Sequence, residues 1–218
     1  MSGTEPKPEP HPIEARSFEI MAAEVDLGRW PEGQRQLVAR MVHATADESF
    51  CTTTLIGARA VPAALAALAE RRPVVCDSAM VVAGSAAAGR LAPLACYLPE
   101  VSEAPAGRTR SAAAIDLAVT RHPEGSLWVF GNAPTALVTL LEHYFEGRVR
   151  PAAVIGLTVG YVGASESKAA LWSSPLREVS ITNSGRRGGS APAAACLNAL
   201  ARLALSGWHQ AEWAQGAP

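Results

Sequence analysis

Leu127-Trp128-Val129-Phe130, followed by Gly131-Asn132-Ala133-Pro134-Thr135, decides the fold. The four apolar residues lack the every-second-residue alternation of a strand with one wet face, so both faces of this strand must be covered. The glycine allows a sharp turn, and the proline suits the first turn of a helix that continues over 136–142. The same grammar occurs twice more. Residues 152–157 run into Gly160-Tyr161-Val162-Gly163-Ala164-Ser165 and a helix over 166–171. Val179-Ser180-Ile181-Thr182 runs into Asn183-Ser184-Gly185-Arg186-Arg187-Gly188-Gly189-Ser190 and a long helix over 191–205. Two shorter apolar runs, Pro73-Val74-Val75-Cys76-Asp77 and Leu94-Ala95-Cys96-Tyr97-Leu98, complete the set. Such runs, each leading into a loop and a helix, indicate parallel βα units. The chain is read as a three-layer α/β fold with a mainly parallel sheet of about five strands. Ligands of these sheets bind beyond the carboxyl ends of the strands, which gathers Asp77, Asn132, Ser165 and Arg186 at one edge.

Upstream of the sheet the pattern is helical. Pro12 suits a helix start, and Arg16 and Ser17 fall on that helix. A second helix begins after Trp30-Pro31 and carries Met41-Val42-His43-Ala44-Thr45-Ala46-Asp47. At about 100° per residue, Gln36, Arg40, His43 and Asp47 share one face, and Leu37, Val38, Met41, Val42 and Thr45 the other. Arg40 would favour a neutral imidazole, whereas Asp47 would favour a protonated one and could orient it. His43 is therefore a candidate proton donor or acceptor. A solvated helix face that happens to carry a histidine accounts for this stretch as well.

Composition narrows the function classes. The chain has 218 residues, 49% hydrophobic and 18% charged, with a formal net charge of -1. Residues 12–205 are expected to form one domain, flanked by a disordered tail over 1–11 and a C-terminal tail over 206–218 that carries Trp208 and Trp213. The near-zero charge supplies no long-range positive field for nucleic acid or an anionic membrane, so an anionic ligand must be met by local arginines. Cys51, Cys76, Cys96 and Cys196 form no Cys-x-x-Cys pair. They read as reduced intracellular thiols rather than a metal site. The Pro-rich start reads as neither signal peptide nor anchor, and no long charge-free apolar span is present, so a cytoplasmic location is expected.

Gly185-Arg186-Arg187-Gly188-Gly189-Ser190 could cradle an anion, through backbone N–H groups, a helix start and two guanidinium forks. A plain strand-to-helix turn with solvated arginines fits equally. Arg110 stands at a second basic helix start, and Asn132 or Thr135 could donate to a ligand oxygen or simply cap a turn. Neither G-x-x-x-x-G-K-[ST] nor G-x-G-x-x-G follows a strand, which disfavours nucleotides, and no Gly-x-Ser-x-Gly elbow supports hydrolysis.

Taken in order, these motifs resemble the precorrin-8X methylmutase family of cobalamin biosynthesis over about residues 12–204. The resemblance rests on Pro12-Ile13-Glu14 with Ser17, on His43-Ala44-Thr45 with Asp47, and on Thr109-Arg110-Ser111-Ala112-Ala113. It extends through Gly131-Asn132-Ala133-Pro134-Thr135-Ala136-Leu137, Val159-Gly160 with Val162-Gly163-Ala164, Glu166-Ser167-Lys168, and Gly185-Arg186 with Gly188-Gly189-Ser190. It implies a flavodoxin-like fold, a homodimer, no cofactor, and an isomerase that moves a methyl group from C-11 to C-12 of precorrin-8X to give hydrogenobyrinic acid. The family's catalytic histidine falls on His43 and a substrate-contacting serine on Ser17. Arg16, Arg110 and Arg186, with Asn132, are then candidates for the substrate's peripheral carboxylates and oxygens. Ala46 stands where the family often has glycine, Thr158 where it often has proline, and Tyr161 where it often has phenylalanine. The rival reading is an α/β protein that binds a corrin or another polycarboxylate without converting it.

Overall fold

In the computed structural model, residues 12–206 are described. The expected N-terminal tail, and Trp208 and Trp213 with the rest of the chain beyond Ser206, lie outside the described residues. In chain order the elements are α1 (Pro12–Glu24), α2 (Glu32–Thr45), α3 (Phe50–Thr53), β1 (Thr54–Ile56), α4 (Ala60–Ala69), β2 (Val74–Cys76), α5 (Ala79–Gly84), α6 (Ala86–Gly89) and β3 (Leu94–Ala95). They continue with α7 (Arg110–Arg121), β4 (Leu127–Phe130), α8 (Pro134–Phe145), β5 (Ala153–Gly156), α9 (Ala164–Ser173), β6 (Ser180–Asn183) and α10 (Ser190–Leu205).

The sheet runs β1-β6-β5-β4-β2-β3, parallel throughout except for β1, which lies antiparallel to β6. Counted along the chain, the five parallel strands stand in the order 2-1-3-4-5 of flavodoxin-like folds, whose switch point falls between β2 and β4. The expectation of about five parallel strands holds, and β1 adds an antiparallel edge strand to them. Thr54-Leu55-Ile56 is too short to show a period, and its pairing with β6 is a tertiary event.

Strand burial explains the unbroken apolar runs. Leu127 and Val129 face a core shared with α2, α4 and α10, while Trp128 and Phe130 face a second core shared with α7, α8 and α9. All four are fully buried. α10 is buried on several sides, packing on α2, α4, α5 and α6 and on β4 and β5. The helix that carries His43 is therefore seated on the sheet through α10.

At the switch point sits Asp77, 3% exposed. Its carboxylate accepts the backbone N–H groups of Gly131 at 3.0 Å, Asn132 at 2.8 Å and Ala133 at 2.8 Å. Burial pushes the carboxyl upward, and the three amides offset part of that. Asp77 thus joins the end of β2 to the start of the β4–α8 loop rather than facing a ligand. Gly131 is required by packing, because a Cβ there would lie 2.8 Å from the Ser190 Cα and 2.8 Å from Val81.

Candidate active site

α2 buries Leu37, Val38, Met41 and Val42 as its periodicity demands and leaves His43 half-buried on the other side. α1 lies across that side. The Ser17 hydroxyl is 3.1 Å from His43 Nδ1, so an imidazole nitrogen is fixed by a residue 26 positions earlier. The Phe18 ring stacks on the imidazole at 4.6 Å between centroids, with 11° between planes. Arg40 pairs with Glu14, whose carboxyl is held below the usual range chiefly by that hydrogen bond. Beside these residues opens a cavity of about 610 Å³ lined by Pro12, Ile13, Arg16, Ser17, Ile20, Met21, Glu24, Val25, Val42, His43, Ala46 and Glu48. An apolar wall with a few convergent polar groups is the common build of a small-molecule site.

Asp47 does not share the His43 face. α2 ends at Thr45, and Ala46 takes a left-handed conformation, φ 49 and ψ 34, which turns the chain away. That backbone favours glycine, and Ala46 adopts it with a side chain. Asp47 pairs instead with Arg187 of the Gly-rich loop, and its other oxygen accepts the Ser49 N–H at 3.0 Å. Through this pair the end of α2 reaches the carboxyl edge of the sheet. Arg187 is thereby engaged within the protein, and Gly188 is pressed against the preceding unit, since a Cβ there would fall 2.3 Å from the Leu157 carbonyl oxygen.

The remaining candidates separate into two groups. Arg16 lines the His43 cavity, its guanidinium 3.0 Å from Glu19 on the exposed face of α1. Arg110, Asn132 and Arg186 are not among the residues lining it. The Arg110 guanidinium donates to the carbonyls of Val101 at 2.9 Å and Leu98 at 3.4 Å. Asn132 is exposed beside the Asp77 cradle, and Arg186 lies over the Tyr161 ring at 5.6 Å. Tyr161 is 86% exposed, so its hydroxyl has water available as a partner. The starts of α7 and α8 meet through Thr109 and Thr135, whose hydroxyl oxygens are 2.7 Å apart.

The structure adds Lys168, which the sequence motifs did not single out as buried. It is 1% exposed, and its ammonium donates to Asn183 Oδ1 at 3.0 Å and to the Arg187 carbonyl. Burial lowers its pKa from 10.5 to about 8. Between those two values the unfolded chain retains a proton that the folded chain has released, so stability rises with pH across this window and falls back as pH drops through about 8. An increment on the order of 2 kcal/mol is expected between about pH 7 and pH 10 in urea unfolding. Lys168→Met should lack it; an equal increment in that variant would assign the effect to other groups. Among the described residues, no group of three or more His, Cys, Asp or Glu side chains is placed to hold a metal ion.

Comparison with known proteins settles the family. The family model described as precorrin-8X methylmutase matches residues 12–203. This chain is a member of the precorrin-8X methylmutase family. A precorrin-8X methylmutase of Sinorhizobium sp is 42% identical over 199 residues, covering 88% of this chain and 94% of the relative. A cobalt-precorrin-8 methylmutase of Priestia megaterium is 34% identical over 213 residues, covering 94% of each. The crystal structure of the Thermus thermophilus precorrin-8X methylmutase superposes with a TM-score of 0.79 at 35% identity, covering 90% of this chain and 99% of that one. A methylmutase of this family needs a site for a macrocycle, and the cavity beside His43 offers about 610 Å³.

Proposed function

We propose that this methylmutase converts precorrin-8X to hydrogenobyrinic acid by moving a methyl group from C-11 to C-12, with His43 handling the proton that activates the ring system. The observation that carries the reading is His43 itself: a half-buried imidazole on the wall of an apolar cavity of about 610 Å³, its Nδ1 engaged by Ser17. When the Ser17 hydroxyl donates to Nδ1, the ring proton resides on Nε2, which the described residues leave without a hydrogen-bond partner. That tautomer can present a proton to a macrocycle nitrogen, and the sigmatropic shift then needs only a held geometry. Arg16, on the same cavity, is the best-placed partner for a peripheral carboxylate. Arg110, Asn132 and Arg186 would be reached only by substituents that extend past the cavity.

The family resemblance carries a homodimer into the same proposal, and the nearly bare side chains of Tyr161 and Val162, 86% and 88% exposed, are apolar surface that a partner copy could cover. A cytoplasmic location goes with it; no helix among the described residues is long and apolar enough to cross a membrane. The test is the visible spectrum of precorrin-8X, and in parallel of cobalt-precorrin-8, incubated with the purified protein. Conversion of precorrin-8X to the hydrogenobyrinic acid spectrum is expected. A folded protein that binds the product but converts neither substrate would be a corrin-binding protein instead.

A further inference from the structure

α1 carries no buried residue; Met21 packs on the core from its partly buried face, and the polar and ring contacts between α1 and α2 gather at His43 and Arg40. Phe18 is prominent among them. Its ring lies against the imidazole and also beneath the Arg40 guanidinium, whose central carbon is 4.5 Å from the ring centroid. Glu14, one turn before Phe18, holds Arg40 and offsets its charge. Ser17 lines the cavity shared with His43, while Phe18 lines a second cavity of about 390 Å³ with Arg40 and Arg202. Phe18 therefore stands on the side of the imidazole away from the first cavity.

We propose that Phe18 is a positioning residue for His43, fixing the tilt of the imidazole so that Nε2 is aimed into the cavity Ser17 lines. The imidazole turns about its Cα–Cβ and Cβ–Cγ bonds, one hydrogen bond at Nδ1 leaves room for the ring plane to tilt, and a nearly parallel aromatic ring at 4.6 Å restricts that tilt. The aromatic face also suits both charge states, since a π face attracts the imidazolium formed when the ring holds two protons. Proton transfer in a preset geometry is sensitive to such control, because a displacement of about 1 Å can cost on the order of a hundredfold in rate. The inference rests on the reading of His43 as the proton-handling group.

The experiment compares Phe18→Leu, Phe18→Tyr and His43→Ala with the wild type for precorrin-8X turnover, hydrogenobyrinic acid binding and thermal midpoint. Phe18→Leu is expected to lower kcat by about 10- to 100-fold with KM and product affinity nearly unchanged. Phe18→Tyr, which keeps the stacked ring, should recover most of that loss. If Phe18→Leu does not fold, Phe18→Met takes its place. Wild-type kcat in the folded Leu or Met variant, or a loss in Phe18→Tyr as large as in Phe18→Leu, overturns the inference. His43→Ala separates the two levels: inactivity there beside an unimpaired Phe18→Leu removes only the role of Phe18, whereas full turnover by His43→Ala removes both readings.

Discussion

Replacing His43 with alanine is expected to lower precorrin-8X turnover by about 10²- to 10⁴-fold, the range that a positioned general acid or base contributes. Product affinity should change little, because the imidazole is one polar group on a largely apolar wall. The fold should survive, since His43 is only half-buried and α2 is anchored by Leu37, Val38, Met41 and Val42 on its opposite side. His43→Asn discriminates further. It offers Ser17 a polar partner but cannot exchange a proton near neutral pH, so it should be as inactive as His43→Ala. Stopped-assay absorbance spectra of substrate and product measure both variants. Recovery of substantial turnover in His43→Asn would mean that the side chain holds the substrate without exchanging a proton with it.

Asp77→Ala is expected to have the largest effect on stability, a loss of about 3–5 kcal/mol. The carboxylate satisfies three amide donors at the start of the β4–α8 loop, all within 3.0 Å. Alanine would leave these N–H groups in a site where Asp77 is only 3% exposed and water has little room to replace the lost oxygens. The neighbouring start of α8 adds partial positive charge that the carboxylate also meets. Asp77→Asn, which retains one acceptor oxygen, should lose roughly half as much. Urea unfolding measures both variants, and an Asp77→Ala midpoint close to the wild type would show that the loop is held by its other contacts, such as the packing of Gly131 on Ser190 and Val81. Because this loop is not part of the His43 cavity lining, turnover per folded molecule is expected to fall far less than stability.

The fold was largely legible in the sequence because its central strands are covered on both faces. Leu127-Trp128-Val129-Phe130 and residues 153–156 each supply side chains to two cores, which forbids polar alternation and leaves a continuous apolar run as a local signal. The Gly-rich loop and helix that follow each run are local signals too, so the parallel βα reading needed no long-range information. β1 gave no such signal, since three residues at an edge become a strand only by meeting β6.

The site was legible in part. The residue types of the candidate site stand in the sequence: a histidine on a helix face opposite the apolar one, a serine on an earlier helix, and arginines in place of a net positive charge. Its wiring could not. The face periodicity that placed Asp47 beside His43 assumed that the helix continued, and a left-handed Ala46 redirects the chain so that Asp47 meets Arg187, 140 positions away. The stacking of Phe18 on His43, the neutralisation of Arg40 by Glu14, the inward turn of Asp77 and the burial of Lys168 under the Gly-rich loop are likewise contacts between segments remote in sequence. By itself the sequence determined the layers, the strand-loop-helix order and the candidate proton-handling group, because periodicity and turn chemistry act within a few residues. Only the tertiary structure decided which charges are paired and which side chains share a cavity, because pairing and desolvation depend on distances in space that no spacing along the chain encodes.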